Sequence, residues 1–470
     1  MTDTIKRIFG DKTFYKRAMS IAVPIMIQNG ITNFVSLLDN IMVGRIGTEQ
    51  MSGVAIINQL IMIYYICIFG GTAGAGIFTA QYYGEGNNEG IRNTMRCKIW
   101  IGIGITVIAS ALFLLFDDVL ISAYLSGSSD GGDMAAALTY GKDYLKIMLL
   151  GLPPFMMLQV YAGTLRECNE TIAPMRASLI AIFVNLVLNY LLIYGNFGFP
   201  QLGVRGAAIA TVTARYIEVA AVILWMHRNK LKVPYVKGLY KTLLLPAGLF
   251  KKFFAKGLPL LINETMWSGG MAMLVQCYSV RGLSVIAGLN IANTIYNVFS
   301  VVFIAMGDAV AIIVGQLLGA GKMEEARKTD NKLIIFSVAV CVLVAILMLF
   351  VAPIFPKLYN TTEQAKAVAM QFIIAQAIFM PQNAFIHTAY FTLRSGGKTI
   401  ITLLFDSVFM WAISIPTAFI LSRYTQIPAI YIFTAVQVVD WIKCIIGFIL
   451  VKKGVWIQNI VNADKGVNNI

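Results

Sequence analysis

The sequence places a carboxylate inside its first apolar stretch, where an acid is costly. Asp39 lies within the run SLLDNIMVG, residues 36–44. A charged residue at the centre of a membrane span costs roughly 2.5 to 3.5 kcal/mol on insertion scales, so such residues usually face a cavity and act there. Burial also favours the neutral form of a carboxyl. We therefore predict that Asp39 alternates between a protonated or cation-bound state and a substrate-bound state. The alternative is a structural role at the helix end, with Arg45 as its partner.

Two amides in a later apolar stretch are candidates for the same site. Asn185 and Asn189 are four residues apart in NLVLNYLLIYG, so a helix presents them on one face. An amide can coordinate a cation or hydrogen-bond Asp39, but it cannot carry a proton. Thr211 and Tyr144 are weaker candidates for this cluster. An amide clamp between membrane helices remains the structural alternative.

Three further acids lie in apolar stretches of the second half. Glu264 occurs in LPLLINETMW and Asp406 in LLFDSVFMW, both near aromatic residues, which suits recognition of a lipophilic cation. We predict that they contact substrate or a second cation, with a buried polar clamp as the alternative. Asp308, in AMGDAVAI, is a similar candidate, but the glycine beside it could mark a helix break with a structural hydrogen bond.

Two other acids have a base three residues away, on the same helix face. These pairs are Arg215 with Glu218 and Asp440 with Lys443. Such spacing favours ion pairs within one helix, so we predict structural roles for them.

The composition is that of a polytopic membrane protein. Of 470 residues, 58% are hydrophobic and 13% are charged, and the mean hydropathy is +0.74. The six cysteines occur singly and there are two histidines, so neither a disulfide framework nor a histidine-rich metal centre is expected. A phosphate-binding GxxxxGK[ST] motif is absent from the sequence, which argues against an ATP-driven pump. The polar, basic N-terminus does not resemble a cleaved signal peptide.

Hydropathy and length predict twelve spans. They cover residues 17–43, 53–80, 96–116, 134–160, 172–195, 204–226, 254–278, 287–317, 331–354, 366–390, 399–421 and 428–451. With both termini on one side, 27 of the 37 Lys and Arg residues fall in the termini and the even-numbered loops. The positive-inside bias then places both termini in the cytoplasm. The net charge of +14 therefore reports orientation and contact with the lipid bilayer, and nucleic-acid binding is not expected.

An internal repeat relates the two halves. A shift of 235 residues pairs Gln81 with Gln316 and Gly84 with Gly319, within the loops AQYYGEGNNEGIRNT and GQLLGAGKMEEARKT. Six spans repeated as six keep their orientation, which predicts an all-α membrane protein with two six-helix lobes related by a pseudo-twofold axis along the membrane normal. The predicted parts are an N-lobe (1–226), a cytoplasmic linker (227–253), a C-lobe (254–451) and a cytoplasmic tail (452–470).

Taken together, these motifs resemble the multidrug and toxic compound extrusion (MATE) family. The resemblance rests on LLDNIMVGRIG, VGQLLGAGKMEEARK, NLVLNYLLIYG and LGVRGAAIAT, and it covers essentially the whole chain. The acid in the first span resembles the DinF-like branch of that family. The family pattern often has Asp where this chain has Asn189, a departure that leaves proton or sodium coupling open.

The resemblance implies secondary active antiport. Cationic or amphipathic drugs would leave the cell in exchange for protons or sodium, by alternating access of the two lobes. No cofactor and no enzymatic activity are expected, and the chain is expected to act as a monomer in the bacterial inner membrane. A lipid-linked oligosaccharide flippase of the same superfamily is the alternative, but it would need more cationic residues in its cavity to hold a pyrophosphate.

Overall fold

The regular structure of the described chain is helical. The computed structural model describes residues 10–125 and 134–462, and every regular element within them is a helix. The start of the basic N-terminus and the end of the predicted cytoplasmic tail, residues 1–9 and 463–470, lie outside the described residues.

Sixteen α-helices are numbered here in chain order within the described ranges. Their bounds are α1 Lys12–Gly44, α2 Thr48–Glu85, α3 Asn88–Leu115, α4 Asp117–Leu125, α5 Met134–Met148, α6 Leu152–Glu167, α7 Ile172–Tyr194, α8 Val204–Arg228, α9 Ala247–Ser279, α10 Leu283–Gly319, α11 Met323–Val351, α12 Glu363–Ser395, α13 Thr399–Leu403, α14 Ile415–Tyr424, α15 Ala429–Val439 and α16 Trp441–Lys453. Short 3-10 turns lie at Leu149–Gly151, Asn196–Gly198, Pro234–Val236 and Phe355–Leu358.

The predicted spans coincide with these helices. Eleven helical segments of the described residues are long and apolar enough to cross a membrane. The predicted span 254–278 is not among the eleven, although α9 covers it as one helix of 33 residues. Its hydropathy is lower because Asn263, Glu264 and Thr265 interrupt the apolar run at its centre.

Local sequence explains several helix boundaries. Two consecutive prolines, Pro153 and Pro154, lie in the first turn of α6, where the missing N–H leaves no hydrogen bond unmade. Thr362 caps α12 by accepting a hydrogen bond from the backbone N–H of Ala365 at 3.2 Å. Between α13 and α14 the chain continues as two π-helical stretches, Leu404–Val408 and Met410–Ser414, and the first contains Asp406. Such π-helical turns are frequent at functional sites.

The chain divides into two compact units. The N-terminal unit consists of Ile27–Thr79 and Asn88–Phe254, and the C-terminal unit consists of Met1–Met26, Ala80–Asn87 and Ala255–Ile470. Helices α1 and α2 therefore each contribute residues to both units. The lobe boundaries predicted from the repeat remain a prediction.

Small residues allow close helix packing within each unit. In the C-terminal unit, α12 packs along α10 and α11 and fully buries Ala369, Ala377 and Ala384. A Cβ atom on Gly288 of α10 would lie 2.9 Å from the backbone nitrogen of Ala369. Backbones that approach this closely are typical of membrane helices, which associate through van der Waals packing. In the N-terminal unit the main contact is between α7 and α8, the helices that carry the predicted amides and Thr211.

Candidate functional site

A chain of hydrogen bonds in the N-terminal unit joins four predicted residues from three helices. The Asn189 side-chain N–H donates to Asp39 Oδ1 at 2.6 Å and to Asn185 Oδ1 at 3.2 Å. Asn185 in turn donates to Thr211 Oγ1 at 3.4 Å. Helices α1, α7 and α8 thus bring together the acid, both amides and the hydroxyl that the sequence singled out.

The amide of Asn189 has one oxygen without a partner. This side chain is 1% exposed, and its Oδ1 atom has no hydrogen-bond partner among the described residues. A buried polar atom left unpaired costs free energy, and each such atom in a folded protein calls for an explanation. It belongs to the amide that binds Asp39, and amide and carboxylate oxygens are the ligand type that hard cations prefer.

Tyr144 lies beside this chain, within electrostatic range of Asp39. Its hydroxyl donates to Asn58 Oδ1 at 3.3 Å. Asn58 was not among the predicted site residues, although the repeat pairs it with Asn293, whose side-chain oxygen accepts a hydrogen bond from Gln376 at 3.0 Å. The repeat was therefore the signal that could have identified it.

A second polar network involves the same three helices and Arg166 of α6. Glu218 Oε2 accepts from Arg215 at 3.0 Å, which confirms the ion pair predicted from their spacing. Glu218 Oε1 accepts from Ser178 Oγ at 2.5 Å, and Ser178 accepts from Gln28 Nε2 at 2.6 Å. The Gln28 oxygen accepts from Arg166 at 2.7 Å. Sequence reasoning had not predicted Gln28, Ser178 or Arg166.

The two networks share helix faces. On α1, Gln28 and Asp39 are eleven residues apart, which is about three turns and about 16 Å along the helix. On α7, Ser178 precedes Asn185 by seven residues, and on α8 Thr211 precedes Arg215 by four. The polar side chains of the two networks thus follow the same helix faces and are called the polar stripe, with an acid towards one end and an arginine–glutamate pair towards the other.

The C-terminal unit contains a separate cluster around the predicted acids. The Tyr390 hydroxyl donates to Glu264 Oε1 at 3.4 Å. Asn263 donates to Tyr390 at 3.3 Å and to Asp406 Oδ2 at 3.1 Å, so one tyrosine and one amide connect the two carboxylates. Lys443 Nζ donates to Asp406 Oδ1 at 3.4 Å, and the side chains of this pair are 5% and 19% exposed.

The partner of Lys443 differs from the prediction. We expected Lys443 to pair with Asp440 on its own helix, but it binds Asp406, while Asp440 accepts a hydrogen bond from Ser414 at 2.9 Å. The backbone does not separate the pair, because the Asp440 N–H donates to the carbonyl of Val436 at 3.0 Å and the Asp440 carbonyl accepts from the N–H of Cys444 at 3.3 Å. The two side chains instead bind partners on the neighbouring π-helical stretches, Lys443 on Leu404–Val408 and Asp440 on Met410–Ser414.

Asp308 lies in an unbroken helix, in contrast to the suggested helix break. It belongs to α10, which continues through Gly307. A Cβ atom on Gly307 would lie 2.6 Å from the His387 ring and 2.7 Å from the Phe391 ring. The glycine therefore makes room for α12 rather than breaking α10. Asp308 is within electrostatic range of Glu264.

Metal ligation by side chains of the usual types is not indicated. In the part of the chain that the structure describes, no three His, Cys, Asp or Glu residues are placed to hold a metal ion together.

Comparisons with known proteins agree on one family over most of the chain. The family model described as MatE matches residues 24–191 and 259–420. A probable multidrug resistance protein NorM of Thermotoga maritima is 28% identical over 418 residues, which covers 88% of this chain and 86% of the relative. The multidrug resistance protein MdtK of Edwardsiella ictaluri is 24% identical over 417 residues, which covers 87% of this chain and 88% of the relative.

The fold is also that of a solved transporter. The structure described as the outward-facing conformation of a multidrug resistance MATE family transporter of the MOP superfamily superposes with a TM-score of 0.82. Its sequence is 19% identical, and the superposition covers 96% of this chain and 97% of that chain.

Proposed function

Because the chain belongs to the MatE family, the multidrug and toxic compound extrusion transporters, we propose that it is a secondary active antiporter. In this proposal it exports cationic or amphipathic small molecules in exchange for a proton or a sodium ion that binds at Asp39. The named relatives are multidrug resistance proteins, so the chain is a membrane transporter and not an enzyme.

One observation carries the proposal, namely the contact between Asp39 and Asn189 at 2.6 Å. It gives the acid of the first span a buried partner with an unpaired oxygen. When Asp39 is ionised, the amide N–H stabilises it. When Asp39 takes up a proton, a half-turn of the Asn189 amide presents the oxygen as acceptor. When sodium binds, the same half-turn supplies a ligand. The amide thus suits either ion.

The polar stripe supplies a route by which ion binding could change helix packing. Asn185 and Ser178 are on the same helix as Asn189, and Thr211 and Arg215 are on α8. Neutralising Asp39 removes a charged acceptor from one end of this network, so the contacts among α1, α7 and α8 would readjust. A membrane potential of 100 mV contributes about 2.3 kcal/mol per unit charge moved, which is enough to drive a useful concentration ratio.

Glu264 is the proposed contact for a positively charged substrate. Among the described residues its side-chain hydrogen bond is a 3.4 Å contact from a neutral tyrosine, so the carboxylate can still accept from a cationic ligand. Asp406 already has Lys443 and Asn263 as partners, which favours the polar-clamp alternative for that acid. Asp308 is assigned a supporting electrostatic role near Glu264.

The proposed setting is the bacterial cytoplasmic membrane, with both termini in the cytoplasm. The distribution of Lys and Arg residues supports this orientation. A monomer is proposed, because each unit contains its own polar cluster. Three interior bases, Arg215, Arg166 and Lys443, give the flippase alternative no support, since each is held by an acid or an amide.

Transport in sealed vesicles tests the proposal. Purified protein is reconstituted into proteoliposomes, and the vesicles are loaded with ethidium or norfloxacin. Proton and sodium gradients are then imposed separately. We expect one of the gradients to drive substrate against its concentration gradient. Failure of both gradients to drive any substrate, with protein that remains folded, would overturn the proposal.

A further inference from the structure

The ends of α2 and α10 meet in a reciprocal backbone contact within the C-terminal unit. A Cβ atom on Gly84 would lie 1.9 Å from the carbonyl oxygen of Gln316, and one on Gly319 would lie 1.9 Å from the carbonyl oxygen of Gln81. The internal repeat pairs these same residues with each other, Gln81 with Gln316 and Gly84 with Gly319. The contact is therefore made by equivalent positions of the two repeats, and both positions require glycine.

After the last helix, the chain runs along the contact between the ends of α2 and α10 and binds residues of both. We call residues 454–462 the terminal strap. The strap engages Gln81, whose side-chain N–H groups donate to the carbonyls of Ser395 at 3.0 Å and Gln458 at 3.2 Å. The Gln81 side-chain oxygen accepts from the backbone N–H of Ile460 at 2.9 Å. Because Gln81 is completely buried, these three bonds satisfy its amide without water.

A second strap residue binds the other helix of the contact. Asn459 Nδ2 donates to the carbonyl of Gly319, the last residue of α10, at 3.1 Å. The Asn459 oxygen accepts from the backbone N–H groups of Val461 at 3.1 Å and Asn462 at 2.9 Å, which folds the strap into a tight turn. The strap therefore holds the end of α2 through Gln81 and the end of α10 through Asn459.

A buried tryptophan anchors the strap. Trp456 is completely buried, and its indole N–H donates to the carbonyl of Val451 at 3.1 Å. Its own carbonyl lies so close to Gly396 that a Cβ atom there would be 1.8 Å away. The strap is thus packed against the turn that follows α12, and it is not a loose tail.

We propose that the terminal strap is a latch that keeps the ends of α2 and α10 together, and that it must release Gln81 before these ends separate during transport. The inference rests on the proposed alternating-access function, in which this end of the pathway opens and closes. In the proposed orientation, this is the cytoplasmic end. Gln81 and Asn459 are positioning residues for that movement and do not contact the transported molecule.

The accessibility of a cysteine within the contact tests the latch without requiring transport. Ala80 is buried, and its Cβ atom lies 3.0 Å from the position of a Cβ on Gly315. Ala80→Cys is introduced into a variant that lacks the six native cysteines. The rate of labelling with a membrane-impermeant maleimide is then measured in lipid nanodiscs, where both faces are accessible. The result does not depend on orientation, driving ion or substrate, so it can be read even if the transport assay fails.

Two latch variants and one matched control are compared. Gln81→Ala removes two hydrogen bonds to the strap and one to the carbonyl of Ser395 at the end of α12. Asn459→Ala removes the hydrogen bond from the strap to the end of α10, and its position lies far from Gln81 in the sequence. Each should raise the labelling rate about tenfold, which corresponds to about 1.4 kcal/mol. Ser395→Ala is the control, because Ser395 contributes only its carbonyl to Gln81, and its rate should change less than about twofold.

Two results would overturn the latch. One is an unchanged labelling rate in Asn459→Ala when its thermal unfolding is like that of the parent. The other is an equal rise in Ser395→Ala, which would mean that any disturbance at this end exposes the cysteine. If Gln81→Ala does not fold, Asn459→Ala decides alone.

Discussion

Replacing Asn189 by alanine is the most informative perturbation of the ion site, because its result depends on which ion drives transport. The variant loses a hydrogen bond of 2.6 Å to the Asp39 carboxylate and also the unpaired oxygen beside it. A hydrogen bond to a charged group contributes about 1.5 to 3 kcal/mol, which corresponds to a factor of about 10 to 150 in an equilibrium constant. A change of that size in ion affinity is readily measured.

The direction of the change identifies the ion. If a proton drives transport, the variant loses the bond to the ionised carboxylate and the weaker neutral bond to protonated Asp39. The loss to the ionised form is larger, so the half-saturating proton concentration falls. If sodium drives transport, the site loses a ligand oxygen, so the half-saturating sodium concentration rises. The assay measures initial efflux of ethidium from proteoliposomes over a series of imposed gradients, one ion at a time.

Asn185→Ala is the matched control in the same helix. Its amide makes only neutral hydrogen bonds, at 3.2 Å to Asn189 and 3.4 Å to Thr211, which contribute about 0.5 to 1.5 kcal/mol each. Because neither bond reaches the Asp39 carboxylate, its effect on half-saturation should be smaller than that of Asn189→Ala. An Asn189→Ala variant with unchanged half-saturation for both ions, or a larger effect in Asn185→Ala, would refute the reasoning.

Three further predictions concern the C-terminal unit. Glu264→Gln should lower kcat/KM for ethidium by about tenfold and leave a neutral substrate unaffected, and an unchanged substrate profile would count against its role. Lys443→Met should destabilise the protein by about 3 kcal/mol, because it leaves the Asp406 carboxylate without its base. This value is at the low end for a broken buried pair, since Asp406 keeps its hydrogen bond from Asn263. Thermal unfolding should show that adding Asp406→Asn restores part of the lost stability. Gly319→Ala should raise the labelling rate of Ala80→Cys, because the new Cβ atom would lie 1.9 Å from the carbonyl oxygen of Gln81 and force the ends of α2 and α10 apart. Gly163→Ala is the control, since no atom lies within 4 Å of its Cβ position, and the labelling rate should not change.

Hydropathy and helical spacing predicted the features that depend on one helix at a time. The span positions follow from runs of apolar residues long enough for a bilayer, and the α-helices occupy those positions. The pair Arg215 and Glu218 follows from a spacing of three in a continuous helix. The grouping of Asn185 with Asn189 follows in the same way from a spacing of four.

Features that depend on several helices were harder to predict. Gln28 and Ser178 are neutral residues, so a search for acids within apolar spans passes over them, although Gln28 shares a helix face with Asp39. Lys443 was assigned the wrong partner because spacing within one helix does not show that a neighbouring segment offers Asp406 to Lys443 and Ser414 to Asp440. The terminal strap is held by bonds between side chains and backbone groups, such as those of Gln81 with the Gln458 carbonyl and the Ile460 N–H, and a backbone partner leaves no pattern of residue types.

The most direct test of the central claim is gradient-driven efflux by Asp39→Asn. The substitution keeps the size of the side chain and the position of one oxygen, but it removes the charge that we propose binds a proton or sodium. We predict that neither gradient drives efflux of ethidium by this variant, while its thermal unfolding and its binding of ethidium stay close to those of the parent. Efflux at the parental rate under either gradient would contradict the account.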